Sequence, residues 1–263
     1  MEHNTGEQEA LELEVDIEVA PNGACMAHVP SLPGFNFRAD STSELAARGR
    51  GALREYIDWL NTHGLAGLTT TTRAVAERAA SHGMSAVRLR PREQIAGAPV
   101  WESGNAAALF LVDHRALCDQ EVQAHLRFLR DALAWIRTIV TPLTAGQRAW
   151  APAPSRRTID ETLDHIGNCI WWYTSRLDDG LPEPPQVDSE DPLDRMDRAF
   201  ALSAEFLSRV TLADRTRVYV PTRYPTCDCT EVWTHTKVCR REAEHVWAHR
   251  SGLLRDTRAA AVR

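Results

Sequence analysis

Lysine is almost missing from this sequence. Lys237 is the only lysine in 263 residues, although lysine and arginine together number 30, so nearly all of the basic charge is arginine. An enzyme that forms a Schiff base, with a carbonyl substrate or with pyridoxal phosphate, would need this one side chain as its amine. We therefore disfavour that class of mechanism, and we attribute the arginine bias to a GC-rich genome.

A long apolar run is also missing, as is a basic leader followed by apolar residues. The longest apolar stretch, around residues 106–112, is far shorter than the roughly 20 residues that a membrane-spanning helix needs. The formal net charge of −6 offers no broad surface for phosphates. We expect a cytoplasmic protein with no membrane partner and no nucleic-acid partner.

The six cysteines are scattered and do not form a disulfide framework, so we expect thiols in a reducing compartment. Cys227 and Cys229 are the only close pair, and without a second pair they do not predict a four-cysteine zinc site. Whether these two take part in a site stays open. A Gly-x-Ser-x-Gly elbow is absent as well, which disfavours a serine hydrolase.

The first 90 residues carry short segments bounded by turn residues. Residues 11–19 alternate apolar and acidic side chains with a period of two, which is typical of a half-buried strand. Residues 41–44, Ser-Thr-Ser-Glu, have the spacing of a capping box and predict a helix that ends at Gly64. Further strands are predicted at residues 24–28, 34–39 and 85–90.

Residues 23–60, GACMAHVPSLPGFNFRADSTSELAARGRGALREYIDWL, resemble the HicB-like antitoxin domain. Members of that family share a strand, a Pro-Gly turn, a second strand and a capped helix, so the resemblance implies a small αβ domain at residues 1–90. Antitoxins of this kind often add a DNA-binding ribbon or helix-turn-helix, and neither pattern occurs here. We expect the domain to serve packing or assembly, such as formation of a homodimer.

Residues 91–111 contain linker chemistry, and every long segment of residues 112–263 has helical periodicity. Apolar residues recur at steps of four and three in three segments, and the segment after residue 230 supplies a fourth helix. The three seams are Val122, Leu126, Leu129, Leu133, Ile136 and Val140; Ile159, Leu163, Ile166, Ile170, Tyr173 and Leu177; and Leu193, Met196, Phe200, Ala204, Leu207 and Val210. The predicted fold class is α+β, with a four-helix bundle after the small αβ domain.

The last predicted helix places ionisable residues among its buried positions. Its seam would run through Val232, His235, Cys239, Glu242, Val246, His249 and Leu253. A buried ionisable group without a partner is costly, so this pattern favours a compensating ligand such as a divalent metal. His245 and His249 lie one helical turn apart and can reach the same ion, and His165 on another helix is a third candidate.

Two segments resemble the DinB-like (damage-inducible) superfamily of metal-binding four-helix bundles. TIDETLDHIGNCIWWYTSRL at residues 158–177 resembles the second helix of that family, and EVWTHTKVCRREAEHVWAHRSGLL at residues 231–254 resembles its last helix. The resemblance implies that His165, His245 and His249 bind the metal, with zinc as the first choice and nickel as the second. Some relatives transfer low-molecular-weight thiols or are thiol-dependent isomerases that use mycothiol, bacillithiol or glutathione.

Three neutral imidazoles leave a fourth tetrahedral position open, and a water or thiol bound there loses its proton near neutral pH. Glu242 could orient a ligand or act as a base. Arg241, or Arg217 and Arg223 on the preceding loop, could receive the anionic part of a thiol. We expect a metal-dependent enzyme that transfers a mycothiol-like thiol to a small electrophilic substrate.

Three alternatives remain open. A metal-hydroxide hydrolase would use the same three histidines. A metal-stabilised binding protein without catalytic activity would fill the fourth position with a protein ligand. A di-iron carboxylate protein would use the Glu-x-x-His motif formed by Glu242 and His245, but it needs a second copy, and Glu161 and His165 have the wrong spacing.

Overall fold

A computed structural model describes residues 10–97, 108–184, 190–225 and 230–263. The architecture is mixed α+β, with a four-stranded sheet and two helices in the N-terminal part and further helices after residue 110. The N-terminal elements are β1 (Leu11–Val19), β2 (Cys25–His28), β3 (Asn36–Ala39), α1 (Leu45–Thr62), α2 (Thr70–His82) and β4 (Val87–Ala96). The later helices are α3 (Asp119–Val140), α4 (Ala145–Arg148), α5 (Ile159–Thr174), α6 (Pro192–Arg209) and α7 (His235–Ala261).

The sheet has the strand order β3-β2-β1-β4. Strand β2 is antiparallel to both β1 and β3, whereas β4 runs parallel to β1. The alternation along β1 buries Leu13, Val15 and Ile17, and this strand has the bounds that the sequence predicts, but it is not half-buried throughout, because Asp16 and Glu18 on its other face are buried as well. A tight turn joins β1 to β2, with Gly23 at a φ of +88° that favours glycine.

Strand β4 is longer than the sequence predicts. It begins at Val87 and continues through Pro91 to Ala96, which lies inside the segment 91–111 expected as a linker. Pro91 pairs with Val15 beside a register shift in β1. Because β4 is an edge strand, the missing N–H of proline removes no hydrogen bond from the interior of the sheet. Residues 98–107 of the expected linker lie outside the described residues.

Helix α1 packs on the sheet and ends close to Gly64, as predicted. The capping box predicted at residues 41–44 is wrong, because the Ser41 side chain does not cap the helix. The Ser41 hydroxyl is instead hydrogen-bonded to that of Ser43 at 2.8 Å, and a short 3-10 turn precedes Leu45. A serine hydroxyl that finds a neighbouring hydroxyl no longer serves the helix N–H groups.

The four longest helices after residue 110 contact one another in pairs. Helices α3 and α5 each pack against both α6 and α7. The apolar seams predicted for α3 and α5 are buried, and α5 begins with a capping box in which Thr158 and Glu161 bond each other's backbone N–H groups. None of the helices in the described part of the chain is long and apolar enough to cross a bilayer.

Helix α7 departs from the predicted pattern of one buried seam. It begins at His235, after the N-cap residue Thr234, and every residue from 235 to 247 is buried. The reason is that α7 packs against α3 and α5 and also contacts the N-terminal sheet. The segments expected as two domains, 1–90 and 112–263, therefore contribute to one continuous hydrophobic core, in which the rings of Tyr56, Phe128 and Trp247 meet.

A buried ionic network joins α7 to the sheet. Arg240 donates two hydrogen bonds to Asp113, at 3.0 and 2.7 Å, and lies 3.1 Å from Glu244. His28 Nδ1 is 2.9 Å from Glu244, and His28 Nε2 is 3.2 Å from Glu18. Burial would lower the pKa of His28, but the carboxylates of Glu244 and Glu18 outweigh this effect and raise it. The carboxylates that contact Arg240 and His28 thus come from β1, from the segment before α3 that contains Asp113, and from α7.

Candidate metal centre

His165, His245 and His249 come together between α5 and α7. One ligand atom from each lies within 4.8 Å of the others, so the three side chains form a group that could hold a metal ion. The ring centroids are 5.0 Å apart for His165 and His245, 5.1 Å for His165 and His249, and 4.6 Å for His245 and His249. The one-turn spacing on α7 places two rings side by side, and the packing of α5 against α7 supplies the third.

The state of His245 tests whether this group suits a metal ion. His245 is 3% exposed, and neither of its ring nitrogens has a hydrogen-bond partner among the described residues. Burial, followed by the nearby His249 and His165, holds the pKa of His245 well below its usual value, so the ring is neutral. A buried imidazole whose two nitrogens lack hydrogen-bond partners is unfavourable, and a bound metal ion would give one of them a partner. The neutral imidazole is also the form that binds zinc or nickel. The three side chains therefore fit a divalent ion.

Cys169 is a neighbour of the three histidines that sequence analysis did not single out. Its Sγ lies 3.6 Å from Nδ1 of His165, one turn along α5. The ring of Tyr173, a further turn along, lies 5.8 Å from that of His245, and burial raises the pKa of the Tyr173 hydroxyl. The periodicity of α5 could have identified Cys169 as a neighbour of the site, because residues 165, 169 and 173 lie on one face of the helix.

Glu242 lies in a closed polar pocket between three helices. Its carboxylate accepts hydrogen bonds from the hydroxyls of Thr174 on α5, at 2.7 Å, and Ser203 on α6, at 2.9 and 3.0 Å. Burial raises the pKa of Glu242 to about 8 against the opposing effect of these hydroxyls. Glu242 is therefore protonated at neutral pH and joins α7 to α5 and α6.

Arg241 lies behind the histidines, in the ionic network. Its Nη1 donates to Glu18 at 3.3 Å, and its Nε is buried without a partner among the described residues. Its positive charge opposes the rise in the pKa of the Tyr173 hydroxyl and contributes to the lowered pKa of His245, so Arg241 lies near the site. The side chain is 3% exposed, so it faces protein and not solvent.

The other predicted arginines lie elsewhere. Arg223 donates to the backbone carbonyl of Asp179 at 2.8 Å and stacks on Tyr224, and Arg217 stacks on Tyr219. His235, another residue of the predicted seam, contacts the carbonyl of Leu207 at 3.3 Å, and burial lowers its pKa to about 4. Cys227 and Cys229 lie outside the described residues. The single lysine, Lys237, is fully buried and donates to the carbonyl of Val232 at 2.7 Å.

A polar cavity of about 330 Å³ opens beside His249. Its walls come from the loop before α5, from the first turn of α5 and from one face of α7. Polar and charged groups dominate these walls: Ser155, Arg156, Arg157, Thr162, His249 and Asp256. The two arginines were missed because the loop has no periodicity, and only their position just before the capped start of α5 could have marked them.

Comparison of the chain with models of known protein families, with curated proteins and with solved structures returned no match.

Proposed function

We propose that this chain is a metal-dependent enzyme that uses a low-molecular-weight thiol, such as mycothiol, on a small electrophilic substrate. His165, His245 and His249 would hold the ion, with zinc as the first choice and nickel as the second. The observation that carries the proposal is the buried, neutral His245, whose two ring nitrogens have no partner among the described residues, beside two further histidines and an open polar cavity.

Within this proposal, α3, α5, α6 and α7 form a four-helix bundle of the DinB-like type, joined to a HicB-like N-terminal domain. The pairwise packing of these four helices supports that arrangement. A divalent ion with one open position would lower the pKa of a bound water or thiol and so supply a nucleophile at neutral pH.

In this proposal, the side chains of the protein bind the ion and hold helix α7 in position. His245 sits deepest, while His249 borders the cavity and is the ligand nearest to an incoming molecule. Arg241 and Glu242, the two residues expected to be catalytic, act as positioning residues in this proposal. Arg241 fastens α7 to β1 through Glu18, and Glu242 fastens it to α5 and α6.

The first test is the metal content of the purified protein. We expect about one divalent ion per chain, and a large loss of metal in each of the variants His165→Ala, His245→Ala and His249→Ala. His82→Ala is a matched control, because His82 is exposed at the end of α2 and should leave the metal content unchanged. Equal metal content in all five proteins would contradict the proposed site.

The second test addresses the thiol. The metal-loaded protein is incubated with mycothiol, bacillithiol or glutathione and a panel of small electrophiles, and conjugates or isomers are measured. We expect products that depend on the thiol and disappear in His245→Ala. Hydrolysis products that form at the same rate without thiol would establish the metal-hydroxide hydrolase instead, and metal without any product would favour the binding protein.

A further inference from the structure

A second cavity lies between β1, the start of α2 and α3. Its volume is about 680 Å³, within the roughly 300–1,000 Å³ that small-molecule sites occupy. The loop after β2 and the segment before α3 complete its described wall. None of the three histidines of the candidate metal centre is among the described residues that line it. A ligand of this second cavity would therefore bind independently of the proposed metal site.

His125, on α3, is part of the wall of the second cavity and is 7% exposed. Burial lowers the pKa of His125 to about 4, so the imidazole is neutral at pH 7. Its Nδ1 is buried and has no hydrogen-bond partner among the described residues. Buried polar atoms without a partner are rare in folded proteins, and a bound ligand could supply the missing hydrogen bond. His125 is thus a neutral hydrogen-bonding group available at this wall.

The charged side chains of the same wall already have partners. Three ion pairs account for them: Arg115 with Glu121 at 2.7 Å, Glu14 with Arg92 at 2.8 Å, and Glu12 with Arg90 at 3.4 Å. Arg92 also binds Asp16. A charged ligand would have to compete with these pairs or lose its hydration without gaining a partner, and burying an unpaired charge is costly. The described wall therefore favours a ligand without charge.

The rest of the described wall is apolar or carries hydroxyl groups. Its larger apolar side chains are Leu11, Leu13, Pro33, Val112 and Leu117. Hydroxyl groups come from Ser31 and from Thr70 and Thr71 in the first turn of α2. An apolar wall with a few hydrogen-bonding groups is typical of sites that bind small organic molecules.

We propose that the second cavity binds an uncharged small molecule, whose apolar body lies against the apolar wall and whose hydrogen-bonding group meets the imidazole of His125. This site is separate from the metal centre, so the proposal does not rest on the proposed function.

The test uses the purified full-length protein and N-phenylnaphthylamine as the probe. This probe is neutral, its N–H can donate to a neutral imidazole, and its fluorescence rises in apolar surroundings. Anilinonaphthalene sulfonate has the same rings with a negative charge, and naphthylethylenediamine has the naphthylamine group with a positive charge. We expect about one neutral probe per chain, bound about tenfold or more tightly than either charged probe. Equal or tighter binding of a charged probe would overturn the proposal.

A first variant, Ala74→Phe, fills the second cavity from α2. Ala74 lines the cavity but is exposed, so a larger side chain at this position should leave the fold intact. We expect the affinity for the neutral probe to fall about tenfold or more, because the new ring occupies the space against which the probe buries its apolar surface. Ala80→Phe, at an exposed position further along α2, is the matched control and should retain the affinity. Unchanged affinity in Ala74→Phe would place the probe elsewhere and overturn the proposal.

A second variant, His125→Phe, keeps a ring at the wall and removes both nitrogens. We expect the affinity for the neutral probe to fall about 2–10-fold, the range that one neutral hydrogen bond supplies. His82→Phe, at the exposed end of α2, should retain the affinity. Retained affinity in folded His125→Phe would refute the role of His125. If this variant does not fold, Ala74→Phe still decides whether the second cavity holds the probe.

Discussion

Replacing Arg240 with methionine should destabilise the fold strongly. Arg240 lies on α7 and is 3% exposed, and its guanidinium binds Asp113, which is fully buried, and Glu244. Burial would raise the pKa of Asp113, but Arg240 outweighs this effect and lowers it. Methionine keeps much of the side-chain volume and removes the charge, so the two carboxylates would be left with less positive charge in a buried environment.

Removing one partner of a buried ion pair costs about 3–5 kcal/mol, against roughly 5–15 kcal/mol for the stability of a typical domain. For a chain of this size, that loss corresponds to a fall in melting temperature of roughly 6–20 °C. The matched control is Arg137→Met. Arg137 forms similar bonds to Asp194 and Asp197 but lies at the surface, where such a pair contributes about 0–1 kcal/mol.

Urea unfolding at pH 7 of the wild-type protein and the two variants measures these differences. A double variant, Arg240→Met with Asp113→Asn, should recover part of the loss because it removes one of the stranded charges. The low pKa of Asp113 gives stability that is present above its unfolded value of 3.8 and is lost as the pH falls, so the effect of Arg240→Met should shrink in acid. A loss in Arg240→Met no larger than that in Arg137→Met would refute the reasoning.

Two further predictions concern single buried groups. The pKa of Glu242 is raised from 4.5 to about 8, so the folded state holds a proton that the unfolded state releases, and the free energy of unfolding should fall by up to about 1.4 kcal/mol per pH unit as the pH rises between these values. Glu242→Gln should lack this pH dependence. If the urea midpoints of the two proteins change equally between pH 5 and pH 8.5, the prediction is wrong. Gly34→Ala should destabilise the protein by more than Gly23→Ala. Both residues have positive φ, but only the Cβ at residue 34 would overlap the buried ring of Phe128. Equal melting temperatures for the two variants would show that the ring moves aside.

The parts of the fold that depend on local pattern were predictable. Strand β1 has the predicted bounds because an alternation of period two is typical of a strand and does not match the period of a helix. His245 and His249 share a face because their spacing is one turn, and His165 was a candidate from a second periodic helix that the family resemblance also implied. The pairing of β1 with β4 joins residues far apart in the sequence, and local periodicity contains no information about such a partner.

The burial of the second face of α7 was not predicted, for a physical reason. Periodicity analysis assigns one face of a helix to the core and the other to water, so it contains no signal that Arg240 and Glu244 are buried. The sheet covers that second face, where His28 lies 2.9 Å from Glu244 and Glu18 lies 3.3 Å from Arg241, and Asp113 binds Arg240. The partners on the sheet lie more than 200 positions away in the chain, as in the pair of His28 and Glu244, separated by 216 residues.

The position of α7 in the chain also affects folding during synthesis. This helix follows every element that it packs against, so the ribosome completes the sheet and helices α1 to α6 before α7 is available. Until then, the surface that will receive it contains Glu18 and His28, which water can hydrate, alongside apolar side chains. We expect these ionic groups to make the incomplete fold less prone to aggregation than an all-apolar groove would be, before Glu18 binds Arg241 and His28 binds Glu244 of α7.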